Sequence, residues 1–131
     1  MQPDGVYADL ADNGSRSMRT LVCGGRNYAK RSTLFRVLDA LDPPPTLIIS
    51  GGCPTGADML AERWAYERGC PVEQHNADWH LHGRSAGPRR NTQMLAEGCP
   101  DRVIAFPGGP GTKDIVRKAR HALVPVTEVA A

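Results

Sequence analysis

The chain has 131 residues, 16 basic and 14 acidic side chains, a formal net charge of +2 and 40% hydrophobic residues. That length can bury one core but is too short for two ordinary domains, and the near balance of charge excludes the strong basic excess of an obligate nucleic-acid binder. Apolar runs are only a few residues long and no basic head precedes a hydrophobic segment, so neither secretion nor a membrane partner is expected, and the cytoplasm is the default location.

Residues 1–17 carry few large apolar side chains and several turn formers, which predicts a loose leader or surface arm ahead of a single domain over 18–128. Thr20 to Cys23 reads as a short buried strand ending at Gly24 and Gly25, followed by Arg26. A helix is expected at about 31–41 on the apolar positions Leu34, Phe35, Leu38 and Leu41, ended by Pro43, Pro44 and Pro45. Thr46 to Ser50 is a second strand leading into Gly51 and Gly52. Thr55 then begins a helix with Ala57, Leu60, Ala61, Trp64 and Ala65 at helical spacing, closed by Gly69.

Pro71 to His75 is a weaker third strand, followed by a polar segment over 76–87 that is long for a connector. Pro88 suits the first turn of another helix, with Asn91, Met94 and Leu95 on one face and Gly98 as its stop. A strand over 102–106 runs into Pro107, Gly108, Gly109, Pro110, Gly111 and Thr112. A last helix over 113–123 carries Ile115, Val116, Ala119 and Ala122, and a terminal strand is expected over 123–127.

Strand and helix alternate throughout, which predicts a mainly parallel five-stranded sheet between helical layers, a three-layer α/β/α Rossmann-like fold. In such open sheets ligands bind beyond the carboxyl ends of the strands where the strand order reverses. With the order 3-2-1-4-5, strands 1 and 4 flank that point. The three turns at Gly24–Gly25, Gly51–Gly52 and 107–112 then converge on one crevice. Glycines allow close approach of a ligand to the main chain, and the helix after 107–112 would aim free N–H groups and a positive dipole end at an anion.

The four cysteines, Cys23, Cys53, Cys70 and Cys99, form no CxxC pair and read as reduced thiols. His80 and His82, with His75 nearby, lack further ligands in sequence, so no metal is expected, and no cofactor is implied. Trp64 reads as core or dimer packing.

The ordered set Val22 to Tyr28, Ser50 to Asp58, Ala61 with Trp64 and Ala65, Ala77 to Trp79, Gly87 to Asn91 with Met94, and Pro107 to Thr112 resembles the SLOG superfamily, which groups DprA/Smf with LOG proteins. The likeness covers residues 18–120 and is greatest to the YspA-like branch. It implies a single Rossmann-like domain binding a nucleotide or nucleotide-derived small molecule, with a sensor as one role, and it implies homodimers or higher homo-oligomers. LOG-type phosphoribohydrolases, which cleave the N-glycosidic bond of a nucleoside monophosphate, carry a PGGxGTxxE loop. Here Ile115 stands where those enzymes have Glu, and the nearest acid, Asp114, lies about 100° round the helix. Binding is therefore the main reading. The alternatives are a glycosidic hydrolase using Arg90 with Asp114 or Asp78, and DprA-like single-stranded DNA binding, against which the near-neutral charge counts.

Candidate ligand contacts are Gly24, Gly25, Arg26, Gly51, Gly52, Thr55, Gly56, Asp58, Trp79, Arg90, Asn91, Pro107, Gly108, Gly109, Gly111 and Thr112. Several have a structural alternative. Thr55 and Asp58 fit a capping box, Thr112 fits an N-cap, and Arg26 fits a solvated loop arginine. Arg90, in a first helical turn that disfavours cations, wants either an anionic ligand or an acid such as Asp78. Trp79 would either stack on a base or cover the sheet edge.

Overall fold

A computed structural model describes residues 17–131. The expected leader over 1–17 falls, apart from Ser17, outside the described residues. Five strands, β1 Arg19–Cys23, β2 Leu47–Ser50, β3 Val72–Gln74, β4 Arg102–Ala105 and β5 Val126–Glu128, form one sheet in the order β3-β2-β1-β4-β5. Every neighbouring pair is parallel, with Thr20 opposite Ile48 on one side of β1 and Arg102 on the other.

Successive residues of a strand face opposite ways, and the core divides accordingly. Val22, Ile48 and Ile104 pack with Leu34, Phe35 and Leu38 of α1 (Arg31–Asp39) and Leu60, Ala61 and Trp64 of α2 (Gly56–Arg68). Leu21, Ile49, Val103 and Ala105 pack on the other face with Met94 of α4 (Ala86–Gly98) and Ile115, Val116 and Ala119 of α5 (Pro110–His121). Three layers result, as the alternation predicts. Trp64 belongs to the core, and its indole Nε1 donates to Asp39 Oδ1 at 2.9 Å.

Several boundaries differ from the expected ones. The segment 76–87 is not a plain connector: it holds the short helix α3 (Trp79–His82), capped by Asp78 through the Leu81 amide, and a 3₁₀ turn over Gly83–Ser85. Helix α4 starts at Ala86, so Pro88 occupies its third position, where an N–H has no intrahelical partner to lose. Gly98 is not its stop. It is the last helical residue, buried where a Cβ would lie 3.3 Å from Ile49 Cδ1, and Cys99 takes the left-handed conformation that ends the helix.

Helix α5 starts at Pro110 rather than 113, with Gly109 as its N-cap and Thr112 inside the first turn. Proline is preorganised for that first position. Leu123 leaves α5 with a positive φ of 62°, which delays β5 to Val126. Gly69 closes α2 in the left-handed conformation as expected. Among the described residues no helix is long and apolar enough to cross a membrane.

Candidate functional site

The parallel register brings the carboxyl ends of β1, β2 and β4 side by side. Hydrogen bonding continues past the strands: Phe106 N donates to Cys23 O at 2.8 Å and Gly25 N donates to Pro107 O at 2.9 Å. Glycine is required where these turns touch, since a Cβ on Gly108 would stand 2.7 Å from the Gly25 nitrogen. Above the strand ends lies an open crevice of about 650 Å³. Cys23, Met94 and Ile115 give it an apolar floor, and Gly24, Gly25, Gly51 and residues 107–112 form its rim.

Two helices begin at this crevice. The start of α2 is satisfied within the protein: Ala57 N donates to Gly25 O at 3.1 Å, Thr55 Oγ1 donates to Arg26 O at 2.8 Å, and Cys53 N donates to Asp58 Oδ2 at 3.1 Å. The expected capping box between Thr55 and Asp58 therefore does not form, because both side chains are drawn to other partners. Gly56 has a φ of 70°, and a Cβ there would meet the Gly25 carbonyl oxygen and stand 2.6 Å from Arg26 Cα, so this glycine locks α2 against the β1 turn.

The start of α5 is different. Among the described residues no acceptor meets the N–H of Gly111 or Thr112, and a Cβ at Gly109 or Gly111 would enter open space. Neither glycine has a positive φ. Backbone strain and crowding thus give no reason for glycine at 109 and 111, which leaves the main chain bare towards the crevice.

A hydrogen-bonded strut crosses between the β2 turn and α5. Arg90 Nη1 donates to Gly51 O at 2.6 Å, Arg90 Nε donates to Asn91 Oδ1 at 3.0 Å, and Asn91 Nδ2 donates to Gly111 O at 3.2 Å and to Asp114 Oδ2 at 3.0 Å. Asn91 is buried. Arg90 accordingly does not pair with Asp78, which is occupied capping α3.

Asp58 stands beside the strut, 8% exposed, and lines the crevice. Burial pushes its carboxyl up to about 6, and Glu62 adds to that, while the Cys53 amide and the Arg90 charge pull the other way. The buried Cys23 thiol is pushed above the usual thiol range by burial first and then by the Asp58 charge, so it is a packed thiol rather than a nucleophile.

Of the residues expected at the site, Gly24, Gly25, Arg26, Gly51, Asp58, Arg90, Asn91, Pro107, Gly108, Gly109, Gly111 and Thr112 line this one crevice. Gly52, Thr55, Gly56, Asp78, Trp79 and Asp114 are not among its lining residues. Gly52 faces Gln74 and Asn76, and Trp79 rests over Gly87 with 53% exposure. Asp114 turns towards Lys118 and Arg117, each at 2.9 Å. Burial opposes ionisation there, but hydrogen bonds from Lys118, Asn91 and Arg117 outweigh it and hold this carboxyl below the ordinary aspartate range.

Sequence reasoning passed over Tyr28, Cys53, Met94 and Ile115 as lining residues. Tyr28 packs on Phe106 with ring centroids 5.3 Å apart, and its buried hydroxyl has no partner among the described residues. Its place directly after the Gly24–Asn27 turn was the available signal. His75 also has a partner that spacing did not reveal, with Nε2 2.8 Å from Glu73 Oε2.

A model of the YspA, cpYpsA-related SLOG family matches residues 18–82, which take in the β1 and β2 turns and end before α4 and the β4 turn. The Gene 61 protein of Mycobacterium phage D29 is 39% identical over 117 residues, covering 82% of this chain and 93% of the phage protein.

Proposed function

This chain belongs to the YspA, cpYpsA-related SLOG family, and from that premise we propose that its crevice binds a nucleotide or nucleotide-derived small molecule. The observation that carries the reading is the bare start of α5. Its free N–H groups and the positive end of its dipole form a receptor for a phosphate, and Gly109 and Gly111 let that phosphate reach the main chain. The apolar floor of Cys23, Met94 and Ile115 supports the uncharged part of such a ligand, and the volume suits a molecule of nucleotide size.

Turnover is not part of this proposal. The two acids that the sequence offers for glycosidic cleavage, Asp114 and Asp78, do not line the crevice and are committed to Lys118 with Arg117 and to the α3 cap. Ile115, at the LOG glutamate position, is part of the apolar floor. DNA binding gains no support from the +2 charge.

Differential scanning fluorimetry with nucleoside mono- and diphosphates tests the proposal. A ligand-dependent rise in melting temperature is expected for the wild-type chain. Absence of any rise across a panel of all bases, together with no heat of binding by calorimetry, contradicts it.

A further inference from the structure

The strut and the buried acid beside it have unused hydrogen-bonding capacity. Asp58 spends Oδ2 on the Cys53 amide, and among the described residues no protein donor reaches Oδ1 and no ion pair engages the carboxylate. Arg90 spends Nη1 on Gly51 O and Nε on Asn91, which leaves Nη2 without an acceptor among the described residues. Both groups converge on Gly51: a Cβ there would stand 3.0 Å from Asp58 Oδ2 and 2.7 Å from Arg90 Nη1. Any side chain at that point would crowd both groups, so glycine is what lets Asp58 and Arg90 stand side by side, and both line the crevice.

Resting on the nucleotide reading of the crevice, we propose that Asp58 and Arg90 form a sugar-hydroxyl pocket. The ligand then carries free ribose hydroxyls as well as an anionic group, with the anion at the start of α5 and the sugar at Gly51. A hydroxyl is the small group that donates to a carboxylate and accepts from a guanidinium at once. An anion beside Asp58 would be repelled. A base edge with two adjacent N–H groups asks for both carboxylate oxygens, and one is already taken by Cys53.

Asp58 also has the energetic character of a residue kept for a ligand. It is buried, its carboxyl is pushed up to about 6 chiefly by that burial, and a single backbone amide is its only hydrogen-bond donor among the described residues. Buried carboxylates that serve structure alone are paired.

Isothermal titration calorimetry with ribonucleoside 5′-mono- and diphosphates and their 2′-deoxy and 2′,3′-dideoxy counterparts tests the pocket. Loss of a hydroxyl that meets charged partners is expected to weaken binding by about tenfold or more. Asp58→Asn, which keeps an acceptor for the Cys53 amide, is expected to weaken the ribonucleotide and bring the two sugars to within about threefold of each other. Equal binding of ribose and dideoxyribose forms by the wild-type chain overturns the pocket while leaving the nucleotide reading intact, and this comparison needs no variant. No binding of either form overturns both. A sugar preference that survives unchanged in a folded Asp58→Asn chain overturns the role of Asp58.

Discussion

Helices α2 and α5 both begin at a glycine turn beyond a strand end, and both open on the same crevice, yet they treat its contents differently. Helix α2 spends its first donors on the protein, through the Gly25 carbonyl and the Thr55 bond to Arg26, and adds a buried acid at Asp58. Among the described residues helix α5 spends neither the N–H of Gly111 nor that of Thr112, and it bares its backbone with glycine. One start is a lock and the other a receptor. Glycine therefore serves two purposes here, close packing of backbone at Gly56 and open approach at Gly109 and Gly111.

Substitution separates these purposes. The largest effect is expected at Gly56→Ala, where the new Cβ meets the Gly25 carbonyl in a left-handed conformation. A loss of about 4 kcal/mol in unfolding free energy follows from strain and overpacking together, read by urea denaturation. A loss below about 1 kcal/mol would show that α2 is not locked in this way.

Asp58→Asn comes next, and its sign is opposite. The native carboxyl titrates at about 6 against an ordinary 3.8. The protonated acid is therefore favoured by the fold, and that favourable contribution is complete below about pH 4 and is lost as pH rises through 6. Removing the charge is expected to stabilise the chain at pH 8 by up to about 3 kcal/mol and to change little at pH 4. Thermal melts at both pH values check this, and destabilisation at pH 8 would mean that the ionised acid is structurally paired.

Asn91→Ala cuts the strut and leaves the Gly111 carbonyl and Arg90 Nε without their buried partner, with an expected cost of about 2 kcal/mol by denaturation. The smallest effect is expected at Asp114→Asn, within about 1 kcal/mol because its cationic partners include the well-exposed Arg117, and without change in ligand affinity. A tenfold loss of affinity there would restore Asp114 to the site.

The strand order, the parallel sheet and the meeting of three turns were all legible, because hydrophobic runs and glycine punctuation reflect local physics that tertiary packing here left intact. What escaped was mostly side-chain choice among competing partners. Thr55 and Asp58 have capping-box chemistry, and only the proximity of the Arg26 carbonyl and the Cys53 amide, set by the fold, diverts them. The same holds for Asn91, whose bonds to Gly111 and Asp114 depend on α4 lying beside α5. Leu123 in a left-handed conformation had no sequence signal, since leucine rarely adopts it, and the start of β5 was misplaced with it.

Gly109→Trp tests the central claim most directly, because a Cβ there enters open space while the indole beyond it is expected to cover the free N–H groups of α5. The account predicts a melting temperature close to wild type and loss of nucleotide binding by calorimetry. A variant that folds and binds the same nucleotide with unchanged affinity would contradict it.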